Sequence, residues 1–416
     1  MPSRSWASRA ALALAALAAT AAGCDTGGEG AGENEFVTVY VSTPLAGPSG
    51  ADGRDVADGA RLALADAGRR AGVLEVRAEY LDGAEGEGDH AGWSPARAAA
   101  NARGAIHDST AIAYIGDFES GATRASLPVT NEARMLQVSP ASSAINLVAP
   151  FQGTDELPEV QSSDERTFGR VIPGDDVQAE AAARWANRLG GRRALIASDG
   201  SAYGDQMTET FAGSARELGM RTSRLATPSG ISCPAGALAY VAAQPGANRG
   251  LFFAPADVRA LADPATLRRG LPQPRPAASG NAVITTDAIL TERPNLGIRR
   301  CEPALRIVSG AVDPAQLAPA GRRFARRFAS EYERRPGRYA AYGYEAMAVV
   351  LDSIERAGDR GAEREAVVEA FFETADRDSV LGAYSIDEVG ETTLERMTGY
   401  RLDGSRLRPA AELTPP

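Results

Sequence analysis

Two short polar loops between residues 111 and 147 carry the groups best suited to bind a small ligand. The apolar run 111–115 predicts a strand, and the turn after it leads into a helix that Ser120 is placed to cap. The apolar run 135–138 predicts a second strand, which ends in the Ser-rich loop 139–143. Parallel strands that end side by side direct backbone N–H groups and hydroxyls towards one crevice. The stretch therefore predicts a site for a small carboxylate ligand, and ordinary turn chemistry is the alternative.

Few residues of the chain are suited to catalysis. Its two histidines, His90 and His107, fall in an acidic loop and at a predicted helix end, where surface positions are expected. The spacings HExxH, CxxC, GxSxG and the P-loop pattern do not occur in the sequence. Asp117 and Glu119 could form an acid–base pair, but no nucleophile accompanies them. The sequence predicts a binding protein that needs no cofactor or metal, with an enzyme as the alternative.

Length and charge narrow the class of protein. The chain has 416 residues, of which 44% are hydrophobic, and this is enough for two lobes. Its formal net charge is −10, and an acidic chain without a basic stripe is unsuited to a nucleic-acid partner. We therefore expect a globular protein that binds a small molecule and no nucleic acid.

The first residues resemble a bacterial lipoprotein signal. Arginines precede the apolar run 10–22, which is shorter than the roughly twenty residues that a membrane span requires. Small residues then lead directly to Cys24. We expect residues 1–23 to be a signal peptide, Cys24 to be lipidated, and residues 24–35 to form a flexible Gly-rich tether. A plain secretory signal with a chance cysteine is the alternative.

Two further cysteines, Cys233 and Cys301, would face an oxidising compartment after export. We predict a disulfide between them, which by the loop-entropy argument would stabilise the fold by roughly 4 kcal/mol. Two separate buried thiols are the alternative.

Strand and helix patterns alternate along the rest of the chain. Strands are expected at 36–41, 73–81, 111–115, 135–138, 168–172, 194–197, 250–254, 282–287 and 305–308. Helices are expected to begin at Asp55, Pro95, Gly121, Asp175 and Asp205 and to cover 340–351, with an irregular connection at 148–166. Such alternation produces parallel sheets with helices on both faces, so the predicted fold class is α/β.

Five motifs are informative because of their order. They are LAGP at 45–48, the loop 115–123, VSPASS at 138–143, AYG at 202–204 after a strand ending in Ser198-Asp199, and YGYEA at 342–346. Together, behind the lipoprotein signal, they resemble the type I periplasmic binding proteins of the branched-chain amino-acid (Leu/Ile/Val) family, which are receptors of ABC importers. The resemblance implies two doubly wound lobes joined by a three-strand hinge. One lobe would comprise residues 36–168 plus 314–384, and the other residues 169–313 plus 385–410.

The resemblance also implies a ligand-binding set in the first lobe. Ser120 matches the family's serine that receives the α-carboxylate through its hydroxyl and backbone N–H. Ala141 and Ser143 match loop positions that contact the carboxylate and the α-ammonium group. Gly121 and Ser142 complete this set. Hydroxyls and N–H groups are suited to the role because they stabilise an anion.

Two residues of the second lobe are implied in the same way. Tyr203 matches a tyrosine that closes over the ligand, and Asp287 stands where the family has an acidic residue that pairs with the ammonium. A carboxylate stabilises a cation most strongly once closure excludes water. The alternatives are a turn-capping aromatic for Tyr203 and a helix N-cap for Asp287.

The chain departs from the family pattern where the ligand's side chain would lie. Ala51-Asp52 replaces an aromatic, and Phe118-Glu119 places bulk and charge where smaller residues are frequent. These departures favour a polar or cationic amino-acid-like ligand over an aliphatic one.

We therefore expect a monomeric, extracytoplasmic protein anchored to the cell membrane by its lipid. It would capture an amino acid or an analogue by hinge closure and deliver it to the membrane subunits of an ABC permease without bond chemistry. A sensory ectodomain of the same fold, an enzyme and a scaffold that binds nothing are the alternatives.

Overall fold

The computed structural model describes the chain from residue 36 onward, with gaps. The described ranges are 36–86, 91–149, 160–161, 163, 165–198, 202–224, 249–254, 282–287, 305–403 and 406–414. The predicted features outside them are the signal segment 1–23, Cys24, the tether 24–35, His90, Cys233 and Cys301. Lipidation and the disulfide therefore stay predictions.

The amino-terminal part of the described chain contains eight strands. They are β1 Phe36–Thr43, β2 Arg70–Ala71, β3 Leu74–Asp82, β4 Ala84–Glu85, β5 Gly92–Trp93, β6 Ala111–Ile115, β7 Leu136–Ser139 and β8 Phe168–Arg170. Six of them form the first sheet, in the order β2–β3–β1–β6–β7–β8, and β4 pairs with β5 in a hairpin. All neighbours in the first sheet are parallel except β2 and β3. The carboxyl ends of β1, β6 and β7 therefore meet at one edge.

The described residues contain eight α-helices. They are α1 Gly50–Asp66, α2 Pro95–His107, α3 Ser120–Glu132, α4 Asp175–Arg188, α5 Ala202–Glu217, α6 Pro319–Tyr332, α7 Ala340–Arg356 and α8 Arg364–Phe372. The last three return to the first sheet, where buried side chains of α7 join those of β1, β6 and α1 in one apolar cluster. A separate cluster contains apolar residues of α2 and β6. The first sheet is thus flanked by two apolar clusters, as expected for helices on both of its faces.

The second sheet is built mainly from the middle of the chain. Its strands are β9 Arg193–Ser198, β10 Arg221–Arg224, β11 Arg249–Ala254, β12 Ala282–Thr286, β13 Leu305–Ser309, β14 Met397–Asp403 and β15 Arg406–Leu413. Their order is β10–β9–β11–β12–β13–β14–β15. Pairing is parallel from β10 to β13 and antiparallel from β13 through β14 to β15. Helices α4 and α5 bury Trp185, Met207 and Phe211 in the core of this sheet.

The predicted α/β class with parallel sheets is confirmed. Two helices begin before the aspartates chosen from the sequence: α1 starts at Gly50 instead of Asp55, and α5 at Ala202 instead of Asp205. The antiparallel strands β14 and β15 and the helices α6 and α8 were not predicted.

Backbone hydrogen bonds explain the early start of α1. The N–H of Gly50 donates to the Gly47 carbonyl at 3.0 Å, and no side chain caps the helix. Asp55 instead lies inside α1, is 6% exposed, and pairs with Arg334. An aspartate that looked like a helix start is therefore one half of an ion pair.

Within the described ranges, no helix is long and apolar enough to cross a membrane.

Glycines allow α1 and α7 to pack with their backbones almost in contact. A Cβ atom at Gly59 would lie 2.0 Å from the Ala340 carbonyl oxygen, and one at Gly343 would lie 2.1 Å from that of Val56. Both obstacles are backbone atoms, which cannot rotate away.

Replacement of Gly59 by Ala should therefore lower the free energy of unfolding by about 1–3 kcal/mol, because the two helices must separate. Gly104→Ala in α2 is the matched control, since a Cβ there meets nothing within 4 Å. That change should raise the free energy of unfolding by about 0.5–1 kcal/mol through helix propensity. Urea unfolding monitored by circular dichroism measures both, and equal effects would contradict this packing.

Candidate functional site

The turn after β6 is organised around the carboxylate of Asp117, which is 2% exposed. Ser42 on β1 and Tyr114 on β6 donate hydrogen bonds to its Oδ1 at 2.7 and 3.2 Å, and Ser126 on α3 donates to Oδ2 at 2.6 Å. The carboxylate thus fixes the start of α3 relative to two strands. Its oxygens are occupied by internal donors, so Asp117 serves as an anchor of the loop.

The loop after β7 is held by its own serines. Ser139 Oγ accepts hydrogen bonds from the N–H groups of Ala141 and Ser142, at 3.2 and 2.9 Å. The buried Ser142 hydroxyl lies 2.7 Å from Thr123 Oγ1 and donates to the Asp117 carbonyl at 3.0 Å. Ser142 therefore joins the two loops, and its hydroxyl is used inside the protein.

The start of α3 corrects one detail of the sequence analysis. Ser120 is the first residue of the helix and Glu119 occupies the N-cap position, without a side-chain hydrogen bond to the helix. The Ser120 hydroxyl accepts a hydrogen bond from the Ala144 N–H at 3.2 Å, which brings it to the Ser-rich loop. At Gly121 a Cβ would lie 2.4 Å from the ring of Trp93, so the absent side chain makes room for this indole.

Arg170, at the end of β8, contacts the Ser-rich loop through its guanidinium group. Its side chain is fully buried and hydrogen-bonds to both carboxylate oxygens of Glu391. Its Nη1 also donates to the carbonyl of Ala144 at 2.8 Å. Burial works to lower the pKa of Arg170, but Glu391 keeps it above the ordinary value, so the group stays charged. One guanidinium therefore positions the loop that contains Ala141 and Ser143.

Tyr203, in the first turn of α5, and Asp287 meet at the end of β12 in the second sheet. The Tyr203 hydroxyl donates to Thr286 Oγ1 at 2.9 Å. Asp287 follows β12 directly, and its two oxygens accept hydrogen bonds from Gln178 at 2.7 Å and Ser309 at 2.6 Å. Burial raises the pKa of Tyr203 well above its ordinary value, so the phenol is neutral.

Arg338 connects the two sides of the site. Its Nη2 lies 2.9 Å from Asp52 on α1, and its Nη1 lies 3.6 Å from Asp287 Oδ2. Burial works to lower the pKa of Arg338, but Tyr339, Asp52 and Asp287 hold it above the ordinary value. The ring of Tyr339 packs edge-on against Phe118, with centroids 4.8 Å apart. A cation and an aromatic pair thus lie where the ligand's side chain is expected.

Two further carboxyl groups, those of Asp175 and Glu119, belong to the candidate site. Burial raises the pKa of Asp175, the first residue of α4, to about 6, against the lowering influence of Ser143 and Arg170. Burial also raises the pKa of Glu119 to about 7. The charge of Asp175 interacts with both Asp287 and Tyr203, so these groups are neighbours.

The structure thus places the predicted residues in two groups. Ser120 and Gly121 begin α3, next to the Ser-rich loop that contains Ala141, Ser142 and Ser143. Tyr203, in the first turn of α5, hydrogen-bonds to the end of β12, which Asp287 follows. Asp175 bridges the groups, because its N–H donates to the Ser143 carbonyl at 2.9 Å and its charge acts on Tyr203 and Asp287. Binding by these positions stays a prediction.

No sequence motif gives a site role to Asp175, Arg338 or Tyr339. In the sequence, Asp175 marks only a helix start. Arg338 and Tyr339 stand just upstream of the YGYEA motif, separated from it by two residues, but the partners of Arg338, Asp52 and Asp287, are far away in the sequence.

The arrangement is suited to binding more than to bond chemistry. Hydroxyls and the N-terminal N–H groups of α3 stabilise an anion, and the carboxylates of Asp287 and Asp175 stabilise a cation. Among the described residues, no cluster of His, Cys, Asp or Glu could hold a metal ion.

Comparison with known proteins gives a family and a fold. The profile of a family described as periplasmic binding protein matches residues 37–406. No curated protein matches the chain.

Solved structures share the architecture at low sequence identity. A leucine-binding protein from Thermotoga maritima is 23% identical, with a TM-score of 0.67 over 91% of this chain and 99% of that chain. A branched-chain amino acid transporter substrate-binding protein from Streptococcus pneumoniae, in complex with isoleucine, is 15% identical, with a TM-score of 0.64 over 91% and 100%. An ABC transporter solute-binding protein from R. palustris, in complex with benzoate, is 16% identical, with a TM-score of 0.62 over 91% and 97%.

Buried carboxyls make the stability of the ligand-free protein depend on pH. Burial raises the pKa of both Asp117 and Asp175 to about 6 and that of Glu119 to about 7. The folded state therefore binds more protons than the unfolded state between about pH 4 and pH 7, so stability falls as pH rises through this window. Each group contributes on the order of 2–3 kcal/mol.

Urea unfolding at pH 5 and pH 7.5 should therefore give a lower free energy of unfolding at the higher pH. Asp117→Asn should reduce this difference, because the amide does not titrate, whereas Asp359→Asn on the exposed turn after α7 should leave it unchanged. Equal stability at the two pH values would contradict the assignment of buried, protonatable carboxyls.

Proposed function

Because the chain belongs to the periplasmic binding protein family, we propose that it is the solute-binding receptor of an ABC importer, with an amino acid or an amino-acid-like carboxylate as its ligand. The type I fold supports this function, since two parallel-rich sheets present loops to a shared site. We base this proposal on one observation. Loops that can stabilise an anion lie at the carboxyl edge of the first sheet, and carboxylates lie near the end of β12 in the second sheet.

The ligand's carboxylate binds at the start of α3. Ser120 and Gly121 offer the first N–H groups of this helix, and Ser120 adds a hydroxyl that faces the Ala144 N–H. Ala141 and Ser143 contribute from the adjoining loop, which Arg170 holds in place. Helix N-termini stabilise anions, which supports this assignment. Ser142 acts by joining the loops, because its hydroxyl is already buried in internal hydrogen bonds.

The ligands of the similar structures support a carboxylate as the recognised group. One of these proteins is a leucine-binding protein and the other two are bound to isoleucine and to benzoate, and all three compounds carry a carboxylate. They differ in the ammonium group, which the amino acids have and benzoate lacks. In this chain the ammonium is placed beside Asp287, with Tyr203 closing over it.

Capture proceeds by closure of two lobes. The lobes comprise residues 36–168 plus 314–384 and residues 169–313 plus 385–410, connected by three hinge strands. Strand membership supports crossings near these positions, since β8 (Phe168–Arg170) belongs to the first sheet whereas β9 and β14 belong to the second. Hinge closure around a ligand is a common mode of domain motion.

The proposed receptor is extracytoplasmic. The signal peptide 1–23 directs export, the lipid on Cys24 anchors the protein to the cell membrane, and Cys233 pairs with Cys301 in the oxidising compartment. The monomeric receptor hands its solute to the permease subunits and performs no catalysis.

A thermal-shift screen of the chain beginning at residue 25 tests the function. The twenty L-amino acids are the probes, and one that binds the native state at a hundredfold excess over Kd should stabilise it by about 2.7 kcal/mol. Ser120→Ala should weaken binding of the best probe by about tenfold, because a hydrogen bond to a charged group is lost.

Ser214→Ala is the matched control, since this half-buried serine bonds within α5 and lies outside the site. It should leave the affinity unchanged. If no amino acid stabilises the chain, or if Ser120→Ala binds as the original chain does, the proposed ligand class is wrong.

A further inference from the structure

We propose that the ligand's side chain packs against the indole of Trp93, and that the site therefore prefers amino acids with an aromatic side chain over aliphatic ones of similar size. The inference rests on the receptor function proposed above. It adds a residue that belongs to none of the five sequence motifs and names the class of side chain that the ligand carries.

Trp93 differs from the other aromatic residues in its exposure to solvent. It is 43% exposed, whereas the other aromatic residues whose exposure the structure describes are buried or half-buried. A flat apolar ring in contact with water is stabilised when another apolar surface covers it. The indole is therefore suited to receive an apolar group from outside the chain.

The backbone around Trp93 is held in place on both sides. Trp93 pairs with Ala84 in the hairpin of β4 and β5, and the Ala84 N–H donates to Asp82 Oδ1 at 2.9 Å. Ser94, the next residue, caps α2 by accepting a hydrogen bond from the Arg97 N–H at 3.0 Å. The fold thus presents the indole at a defined position.

The hairpin lies at the edge of the first sheet where the candidate site is formed. It follows β3, whose carboxyl end lies at the same edge as those of β1 and β6. A Cβ at Gly47 would lie 2.0 Å from the Ala91 carbonyl oxygen, so the segment leading into β5 contacts the loop after β1. A Cβ at Gly121 would lie 2.4 Å from Cη2 of Trp93, so the ring contacts α3. The hairpin therefore reaches from the loop after β1 to the start of α3.

The indole lies beside the position proposed for the ligand's carboxylate. Gly121 is the second residue of α3, and its N–H is one of the groups proposed above to bind that carboxylate. An amino acid carries its carboxylate and its side chain on the same carbon atom. A ligand held at this helix start therefore has its side chain close to Gly121, where the indole offers an exposed apolar surface.

A second pair of rings favours an aromatic side chain on the ligand. Phe118 precedes the first residue of α3 by two positions, and its ring packs edge-on against Tyr339 with centroids 4.8 Å apart. Aromatic rings thus lie directly before α3 and against its second residue. Because rings attract one another in stacked and edge-on contacts beyond the effect of area, a flat ring gains more here than an aliphatic side chain of similar size.

The test measures affinities by calorimetric titration on the chain beginning at residue 25. The probes are the twenty L-amino acids and L-cyclohexylalanine, which resembles phenylalanine in size but has a ring that is neither flat nor aromatic. The variants are Trp93→Leu, Trp93→Phe, Ser120→Ala and the control Val73→Ala. Val73 is 75% exposed and directly precedes β3, at the opposite end of this strand from the hairpin.

We expect phenylalanine or tyrosine to bind the unsubstituted chain about tenfold more tightly than cyclohexylalanine does. Trp93→Leu should weaken binding of the aromatic amino acid about tenfold and remove its advantage over cyclohexylalanine. Trp93→Phe should keep this advantage, because a ring remains at the position. Val73→Ala should bind every probe as the unsubstituted chain does.

Tryptophan fluorescence adds a readout that a merely structural role of Trp93 would not change. In the chain beginning at residue 25, Trp185→Phe leaves Trp93 as the only tryptophan. Saturating phenylalanine should shift the emission of Trp93 to shorter wavelength and protect it from quenching by acrylamide, because the ligand covers the ring. Trp93→Phe retains only Trp185, which is 4% exposed, and should show neither change.

Three results would overturn the inference. Unchanged amino-acid affinity of Trp93→Leu, with a loss in Ser120→Ala, would remove Trp93 and keep the receptor. Tightest binding of an aliphatic or a charged amino acid would keep the receptor and refute the aromatic preference. Silence of all twenty amino acids would overturn the proposed function as well. If Trp93→Leu does not fold, the emission of Trp93 in Trp185→Phe decides, and no change on saturation with the best aromatic probe would refute the contact.

Discussion

The buried guanidinium of Arg170 is the interaction on which the geometry of the candidate site depends. A charge removed from water must be paired and hydrogen-bonded, or it destabilises the fold by several kcal/mol. Arg170 meets this requirement through Glu391 and the carbonyl of Ala144. These contacts connect the end of β8 to the loop that contains Ser143 and to the segment just before β14. The position of the loop is thus set by the need to satisfy one cation.

A second buried cation shapes the other end of the site. Arg338 lies between Asp52 and Asp287, which belong to opposite sides of the crevice. Asp52 and Asp287 thus share one cation, which favours a positive group of the ligand nearby. The polar surroundings of Asp52 differ from those that an aliphatic side chain requires.

Much of the fold follows from local pattern, whereas the charge pairing does not. Alternating apolar runs predicted most strands of both sheets, because each short run is a buried parallel strand. Gly59 lets α1 approach the backbone of α7, and no local pattern predicts this contact because the two helices are far apart in the chain. Asp55 was mistaken for a helix start, since an aspartate before an apolar stripe looks like a cap until its partner is known.

The partners that define the site are distant in the chain. Arg338 reaches Asp52 across 286 positions, and Arg170 reaches Glu391 across 221. No periodicity relates such residues, because only the folded topology brings them together. The family resemblance predicts Ser120, Ser143, Tyr203 and Asp287 as site residues, whereas the sequence marks Asp175 only as a helix start.

A crystal structure of the chain with its best-binding amino acid tests the central claim most directly. The account predicts density for one ligand between the start of α3 and the end of β12, with its carboxylate at Ser120 and its ammonium beside Asp287. A ligand bound outside these loops, or one whose ammonium faces away from Asp287, would contradict it.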